Sequence, residues 1–514
     1  MVMTRRRTVM AVILLAWVAV LAWHVRREYF RPLTVRLAEA SANLVPMASY
    51  YAVKLGDATI GYAASRVDTV PGGFALMDDL RLRVNVMGSD APASARTVVN
   101  LGERLELKDF QFTLRSDFGD FEVAGEMAGD TALELAIDAG GDEQTTVLPT
   151  GGPVLLPQVM PMHFALGEEP EAGETYVFEI FDPSVLERQR VTLEVVEEET
   201  VIFPDSAEYD EGSDSWVPVR YDTVETWHVK QGFGGLELDA WLDPDGQVVK
   251  ATSPLGYTIE RTAFEIAWNR YRALEAAEAR LATPDIIEKT AISVGVDLPE
   301  GDRLGRFAVR LQNVDLEGFD LEGARQTLRG DTLFVESEAE LPAGGYELPA
   351  DPDAFGAELA ATPLIQVDDP EIRRTAEEVL GGVTEPRAAA QRLSEWVYST
   401  LDKRVTLSVP SARQVLEAGS GDCNEHTVLY VALARAAGLP ARTAAGLVYV
   451  RDRFYYHAWP EVWLDRWVPV DPTLGQTPAD ASHLRFVVGG LARQVELVRL
   501  IGLLRLDVVS VEER

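Results

Sequence analysis

From about Tyr50 to Arg261 apolar and polar residues alternate in short runs, as in "RLRVNVMG", "FEVAGEMAGD", "ALELAIDAGGD" and "YVFEIFDP", each closed by Gly or Asp. A period of two places alternate side chains on opposite faces of a strand, and the closing residues supply the backbone freedom a tight turn needs. The pattern predicts antiparallel β-structure built from hairpins, in one or two β-rich domains over residues 50–261. The stretch 203–216, "FPDSAEYDEGSDSW", is acidic and rich in turn formers, and reads as a solvated loop rather than a calcium site.

The pattern then changes. Thr262 to Leu281 spaces Phe264, Ile266, Trp268, Tyr271, Leu274 and Leu281 as a helix does, with Thr283 and Pro284 to end it. Residues 262–350 are expected to hold this helix, a second β-rich piece with "FAVRLQNV" and "DTLFVESEAEL" as strands, and a linker over Leu341–Asp353. After Thr362 helices take over. Asp368 or Asp369 can cap the first, with Pro370 in its first turn and Gly381-Gly382 stopping it, and Thr384 can cap the next. The expected architecture is multidomain: antiparallel β-rich domains followed by an α+β domain over residues 362–485, with 486–514 as a packed C-terminal segment.

A chain of 514 residues with a formal net charge of -35 is too long for one core and too acidic for a phosphate backbone, so nucleic acid is excluded as a partner. The apolar run Val9–Trp23 lies between Arg5–Arg7 and Arg26–Arg27. Its helical length of about 25 Å is at the short end for a membrane span. Residues 1–27 are read as a retained anchor, with a cleaved signal and a buried helix as the alternatives. Basic residues flank both ends, and the bulk of the chain is expected outside the cytoplasm, in the periplasm, on the usual arrangement of a signal anchor.

The one cysteine, Cys423, cannot form an intramolecular disulfide. It follows the loop Gly419–Asp422 and opens the apolar series Val428, Leu429, Val431 and Leu433, so it stands at a helix N-terminus. There, backbone N–H groups and the helix dipole favour a thiolate and can bind an oxyanion. Acyl transfer also needs a group that moves the proton, and His457, in the strand-like "FYYHAWPEVWL", supplies one. After a turn at Asp465 and Arg466, "WVPVDP" returns towards Asp471, whose carboxylate can fix the tautomer of His457. A two-residue hairpin would put Asp471 on the wrong face. An odd turn, a bulge or a strand that ends before Asp471 is therefore required.

The blocks "GDCNEH", "HAWPEVWL" and "WVPVDPT" resemble bacterial members of the transglutaminase-like superfamily over roughly residues 365–480. The resemblance implies a papain-like α+β core and thiol acyl chemistry on amides, with Cys423 as nucleophile, His457 as base and Asp471 as orienting acid. It implies a peptide or protein amide as substrate, hydrolysis in preference to cross-linking, and no metal or organic cofactor. The rival reading is an idle module of the same fold that binds or assembles at the cell envelope, meeting a protein partner through the β-rich region.

Other residues have plainer readings. His426 lies one turn after Cys423 and can orient or hydrogen-bond locally. Cys423, His426, His457 and Asp471 have the ligand types for zinc, but their spacing fits no structural zinc pattern. Gln414 is a weak candidate for oxyanion donor. Tyr455, Tyr456, Trp459, Trp463 and Trp467 read mainly as sheet packing, with the lining of a substrate groove as the alternative, and Glu461 as a supporting acid or a solvated residue. His163, His228 and His483 are treated as structural.

Overall fold

The computed structural model describes residues 33–513 apart from 87–88, 118, 130, 140–142, 169, 234–235, 275–284, 300–303, 324 and 406–407. The expected anchor at 1–27 lies outside these residues. Among the described residues no helix is long and apolar enough to cross a membrane.

The alternating region folds as one continuous antiparallel sheet of fourteen strands, from β1 (Met47–Leu55) to β14 (Tyr257–Thr262). Its spatial order is two meanders, β1 outward to β8 (Glu143–Pro149) and β14 outward to β9 (Thr175–Asp182), joined where β1 pairs β14. Each meander step joins neighbours in sequence, which is why local alternation and turns were enough to read it. Helix α1 (Leu33–Ser41) and helix α2 (Met160–Gly167) pack on its apolar face, and Phe164 of α2 is completely buried.

The acidic stretch 203–216 is not a loop. Strand β10 (Glu187–Asp210) runs through "FPDSAEYD" and pairs with β11 (Ser215–Phe233), so only residues 211–214 turn. Register shifts beside Pro204 and Ser206 let the ladder pass a residue that has no N–H to give. Turn-forming composition mimicked a loop there because both faces of the long hairpin meet solvent. Helix α3 is described over Phe264–Ala273, and the remainder of the expected segment, 275–281, falls outside the described residues.

The C-terminal part is built on a five-stranded sheet. Its path is β15 (Ile292–Ser293), β22 (Arg453–Trp463), β21 (Ala441–Val450) and β24 (Leu484–Val488), with β23 (Trp467–Pro469) also paired to β22. The boundary expected at 485 therefore cuts through β24. Within the segment 486–514, expected as a packed C-terminal piece, β25 (Arg505–Glu513) pairs with β16 (Leu304–Gln312) in a small sheet completed by β17 (Gln326–Arg329) and β18 (Thr332–Glu336). Sequence order hid this because the two partners lie almost 200 positions apart.

Helix α6 (Pro370–Leu380) begins as expected, with Asp369 accepting from the N–H groups of Glu371 and Ile372 at 2.8 and 3.0 Å, and it ends at Gly381 in the left-handed region. For α7 (Pro386–Thr400) the cap is Glu385 rather than Thr384, because Pro386 occupies the first helical position. Leu341, Leu348 and Ala350 of the expected linker are buried, the first two among the helix side chains, so that stretch is a strap on the domain. Two buried clusters meet on the five-stranded sheet. One joins α6, α7 and α9 (Cys423–Ala436) to Ala441, Val462 and Val468, and the other joins Ala445, Phe454, Ala458 and Phe486 to Leu304, Phe307, Val309 and Val335 of the small sheet.

Candidate active site

Cys423 is the first residue of α9, and a capping box explains why the helix starts there. Asp422 accepts from the Asn424 N–H at 2.8 Å, and Glu425 reaches back to the Asp422 N–H at 2.9 Å. A Cβ on Gly421 would stand 2.2 Å from that of Glu425, so glycine is needed at the approach. The cap claims the amides of Asn424 and Glu425, but not that of Cys423.

Cys423 is half-buried, and the backbone N–H of Ala458, the residue after His457, favours the charged form of its sulfur. The expectation of a favoured thiolate needs correcting. Burial first, then the carboxylates of Asp422, Glu425 and Asp471, push the thiol well above its ordinary value, against the helix dipole and the Ala458 N–H. The resting sulfur is a neutral thiol, so a base has to take its proton.

The turn between β22 and β23 holds three residues, Leu464, Asp465 and Arg466, with Trp463 paired to Trp467 and Asp465 at a φ of 62°. That odd count brings Glu461 opposite Pro469 and puts Asp471 on the face of His457, and β23 has ended at Pro469 before Asp471 is reached. Two of the three permitted ways of meeting the geometric demand are thus in use. Gly446 lies opposite His457 on β21, where a Cβ would sit 1.9 Å from the Leu484 carbonyl oxygen, so β24 can approach closely.

His457 Nε2–H donates to Asp471 Oδ2 at 2.7 Å, which leaves Nδ1 as the nitrogen able to accept a proton. Asp471 is completely buried, and its Oδ1 accepts from the N–H groups of Thr473 and Leu474 at 2.8 and 2.9 Å. Burial alone would raise its pKa, but His457 and His483 outweigh that and hold the carboxyl well below the usual range.

His483 is the residue that sequence reasoning missed. Its Nε2 lies 2.9 Å from the same Asp471 Oδ2, and its Nδ1 lies 3.3 Å from Asp480 Oδ1, with the ring fully buried. The signal lay in "DASHLRFVV", where Asp480, Ser482, His483 and Arg485 crowd into the start of an apolar strand. So many polar groups entering a core need partners.

The remaining candidates separate. Gln414 Nε2 donates to Asp120 O of the large sheet at 3.0 Å, so its side chain is engaged away from any oxyanion. Glu461 is not solvated but buried and paired with Arg442 at 2.6 Å and Arg485 at 3.1 Å. His426 donates through Nδ1 to Asp422 O at 2.7 Å, and burial lowers its pKa, so it is neutral. Trp459 is buried, with its ring edge-on to His483, while Tyr455, Tyr456, Trp463 and Trp467 are half-buried. His163 on α2 bonds the carbonyl of Leu105 in a turn of the large sheet, and His228 stacks on Trp241 within that sheet.

His457, Asp471 and His483 offer three donor atoms within 4.8 Å of one another, a spacing a metal ion could use. Each of those atoms is already matched as hydrogen-bond donor or acceptor, so the arrangement is complete as a proton-holding network.

Residues 373–472 match the transglutaminase-like superfamily. The transglutaminase-like domain thus sits in the C-terminal part, and the match spans Cys423, His457 and Asp471 but stops short of His483. No curated protein matches the chain. Among solved structures, a candidate cysteine protease from Cytophaga hutchinsonii is 13% identical, covering 41% of this chain and 87% of its own, with a TM-score of 0.28. A β-barrel-like protein of a domain of unknown function from Brucella abortus is 15% identical over 42% of this chain and 94% of its own, with a TM-score of 0.30. A candidate protease from Parabacteroides distasonis is 10% identical over 79% of this chain and 68% of its own, with a TM-score of 0.18.

Proposed function

We propose that the transglutaminase-like domain is a thiol hydrolase of peptide-type amides, with Cys423 as nucleophile, His457 as base and Asp471 as the acid that orients it. One observation carries this reading: the 2.7 Å bond from His457 Nε2 to buried Asp471 fixes the tautomer that leaves Nδ1 basic, on the strand whose next amide favours the charged form of the Cys423 sulfur.

The chemistry follows from those groups. The Cys423 thiol proton passes to His457 Nδ1 as the sulfur bonds to the substrate carbonyl carbon. His457 returns that proton to the amine nitrogen as the C–N bond breaks, leaving a thioester on Cys423. Water then attacks the thioester with His457 again taking a proton, and the acid and free thiol are released. An amine in place of water would give transfer instead.

The test is incubation of the full-length protein with a peptide library, with and without a primary amine, alongside Cys423→Ala. Expected results are cleaved peptides and an acyl adduct on Cys423, both lost in the variant. Identical product profiles for the two proteins would overturn the proposal.

The raised thiol favours a second reading, an idle module of the same fold. Iodoacetamide labelling near neutral pH separates the two. Alkylation of Cys423 no faster than a free thiol, and unchanged in His457→Ala, supports the idle module. For location, we propose membrane tethering through residues 1–27 with the bulk of the chain outside the cytoplasm, where a partner can reach the large sheet. Protection of residues 50–500 from protease in spheroplasts would reverse that orientation.

A further inference from the structure

We infer that His483 is a positioning residue, held as an imidazolium between Asp471 and Asp480, and that it moderates how strongly Asp471 acts on His457. The inference about catalysis rests on the assignment of His457 and Asp471 given above, but the protonation state of His483 does not.

An ionised carboxylate only accepts hydrogen bonds. A ring that faces one carboxylate through each nitrogen therefore needs both protons, and His483 does so at 2.9 Å through Nε2 and 3.3 Å through Nδ1. Both acids are wired as acceptors. Asp480 Oδ1 also takes the Ser482 N–H at 2.6 Å, while Asp471 takes two backbone N–H groups and His457. The charges agree with the geometry: burial alone would lower the pKa of His483, but the two carboxylates raise it overall.

Other charged groups surround the ring. A cavity of about 10 Å³ lies against His483, with Trp459, Arg325, Glu461 and Arg485 among its lining residues. Arg485 is matched by Glu461 at 3.1 Å, and Arg325, which donates to the carbonyls of Ala479 and Asp480, has the buried carboxylate of Glu338 at 3.9 Å to offset its charge. His457 shares Asp471 Oδ2 with His483, the two ring centroids 5.9 Å apart. The charge that acts directly on Asp471 from this side is therefore the imidazolium.

The small sheet holds His483 in place. Gln326 of β17 clasps the backbone of Arg485 in both directions, accepting its N–H at 2.6 Å and donating to its carbonyl at 3.0 Å. Arg485 in turn donates to the carbonyls of Asp320 and Glu322. The β-rich segment before the transglutaminase-like domain thus has a defined task, to fix the loop that carries Asp480 and His483.

Asp471 Oδ2 serves two donors, and the positive ring offsets part of its charge. In His483→Gln a neutral amide keeps a donor for Oδ2 but removes the charge, so Asp471 bears undiluted on His457. The acid limb of kcat/KM is expected to move to higher pH by roughly one unit, the scale of a charge at contact distance. A role confined to packing would change stability and leave the limb where it is.

The deciding experiment is nitrogen NMR of the histidine side chains in the full-length Cys423→Ala protein, which needs no turnover. Both ring nitrogens of His483 are expected to carry protons at neutral pH, its two carboxylates having raised it above the ordinary value of about 6.5. A single-proton tautomer at neutral pH would overturn the inference whether or not the protein is an enzyme. Should His483→Gln fail to fold, Asp480→Asn leaves the ring in place and neutralises only its outer partner. It is expected to shift the acid limb in the same direction by a smaller amount, and an unmoved limb would count against the inference.

Discussion

Asp471 and Asp78 are both carboxylates pulled out of water, one in the transglutaminase-like domain and one in the large sheet, and their pKa values move in opposite directions. Asp471 has four N–H donors, two from backbone and two from imidazoles, and is held well below the usual carboxylate range. Asp78 has the hydroxyl of Ser65 across the strand pair, a second oxygen with no partner among the described residues, and is pushed up to about 6 by burial. A buried acid is kept charged only where the surrounding chain supplies donors to match it. In the C-terminal part four such donors converge on one carboxylate, two from the turn that follows it and two from imidazoles on flanking segments. In the large sheet the partners are those that a neighbouring hairpin happens to present.

If that contrast is sound, chemistry and stability should separate by region. Asp471→Asn keeps the shape but disturbs the tautomer of His457, and kcat is expected to fall by about 10⁴. Phe164→Ala in α2, which packs on the large sheet, removes a completely buried ring that lies against Tyr176 at 5.4 Å. It should cost about 3–5 kcal/mol of stability and leave kcat per folded molecule unchanged. Denaturant titration beside active-site-normalised kinetics checks both, and a large kcat loss in Phe164→Ala would break the division.

The same contrast fixes the sign of two pH effects. Because the folded pKa of Asp471 is depressed, its contribution to stability is present above its unfolded value of about 3.8 and is lost as pH falls through the folded value. His483 has a raised folded pKa, so its contribution is complete below about 6.5 and is lost as pH rises through the folded value. Asp78 behaves in reverse to Asp471: its burial destabilises progressively as pH rises from about 3.8 to about 6. Asp78→Asn is therefore expected to stabilise the protein by about 1–2 kcal/mol at pH 7 and by almost nothing at pH 4. Thermal melts of the variant at the two pH values test this, and an equal gain at both would show that desolvation of the charge is not the cause.

How much could be read in advance follows from how local each feature is. The hairpins of β1–β14 and the ends of α6 depend on neighbours in sequence, and alternation, Asp369, Pro370 and Gly381 announced them. The register of His457 and Asp471 was also legible, because pleat parity allows few solutions. What stayed hidden was long-range. Nothing in "LGRFAVRLQ" says that its partner is β25, and nothing near His483 names Gln326 as the residue that holds the next backbone segment. The thiol was misjudged only partly for that reason, since Asp422 and Glu425, which also raise it, stand beside Cys423 in the sequence. The helix start is written beside Cys423, whereas burial and the approach of Asp471 are properties of the folded domain.

A smaller effect tests whether the two regions behave as one unit. Ser411 is completely buried where they meet. Its hydroxyl donates to Ala139 O at 3.1 Å in the large sheet and accepts from the Gln414 N–H at 3.3 Å, capping helix α8 (Ala412–Ala418). Ser411→Ala removes both bonds and is expected to cost about 1 kcal/mol. Gln414→Ala removes only a partly exposed bond to Asp120 O, so its cost should be a few tenths of that. If the regions fold cooperatively, Ser411→Ala lowers a single calorimetric transition. Two transitions, of which only one moves, would show that the large sheet and the transglutaminase-like domain unfold separately, and that this contact aligns them without coupling their stability.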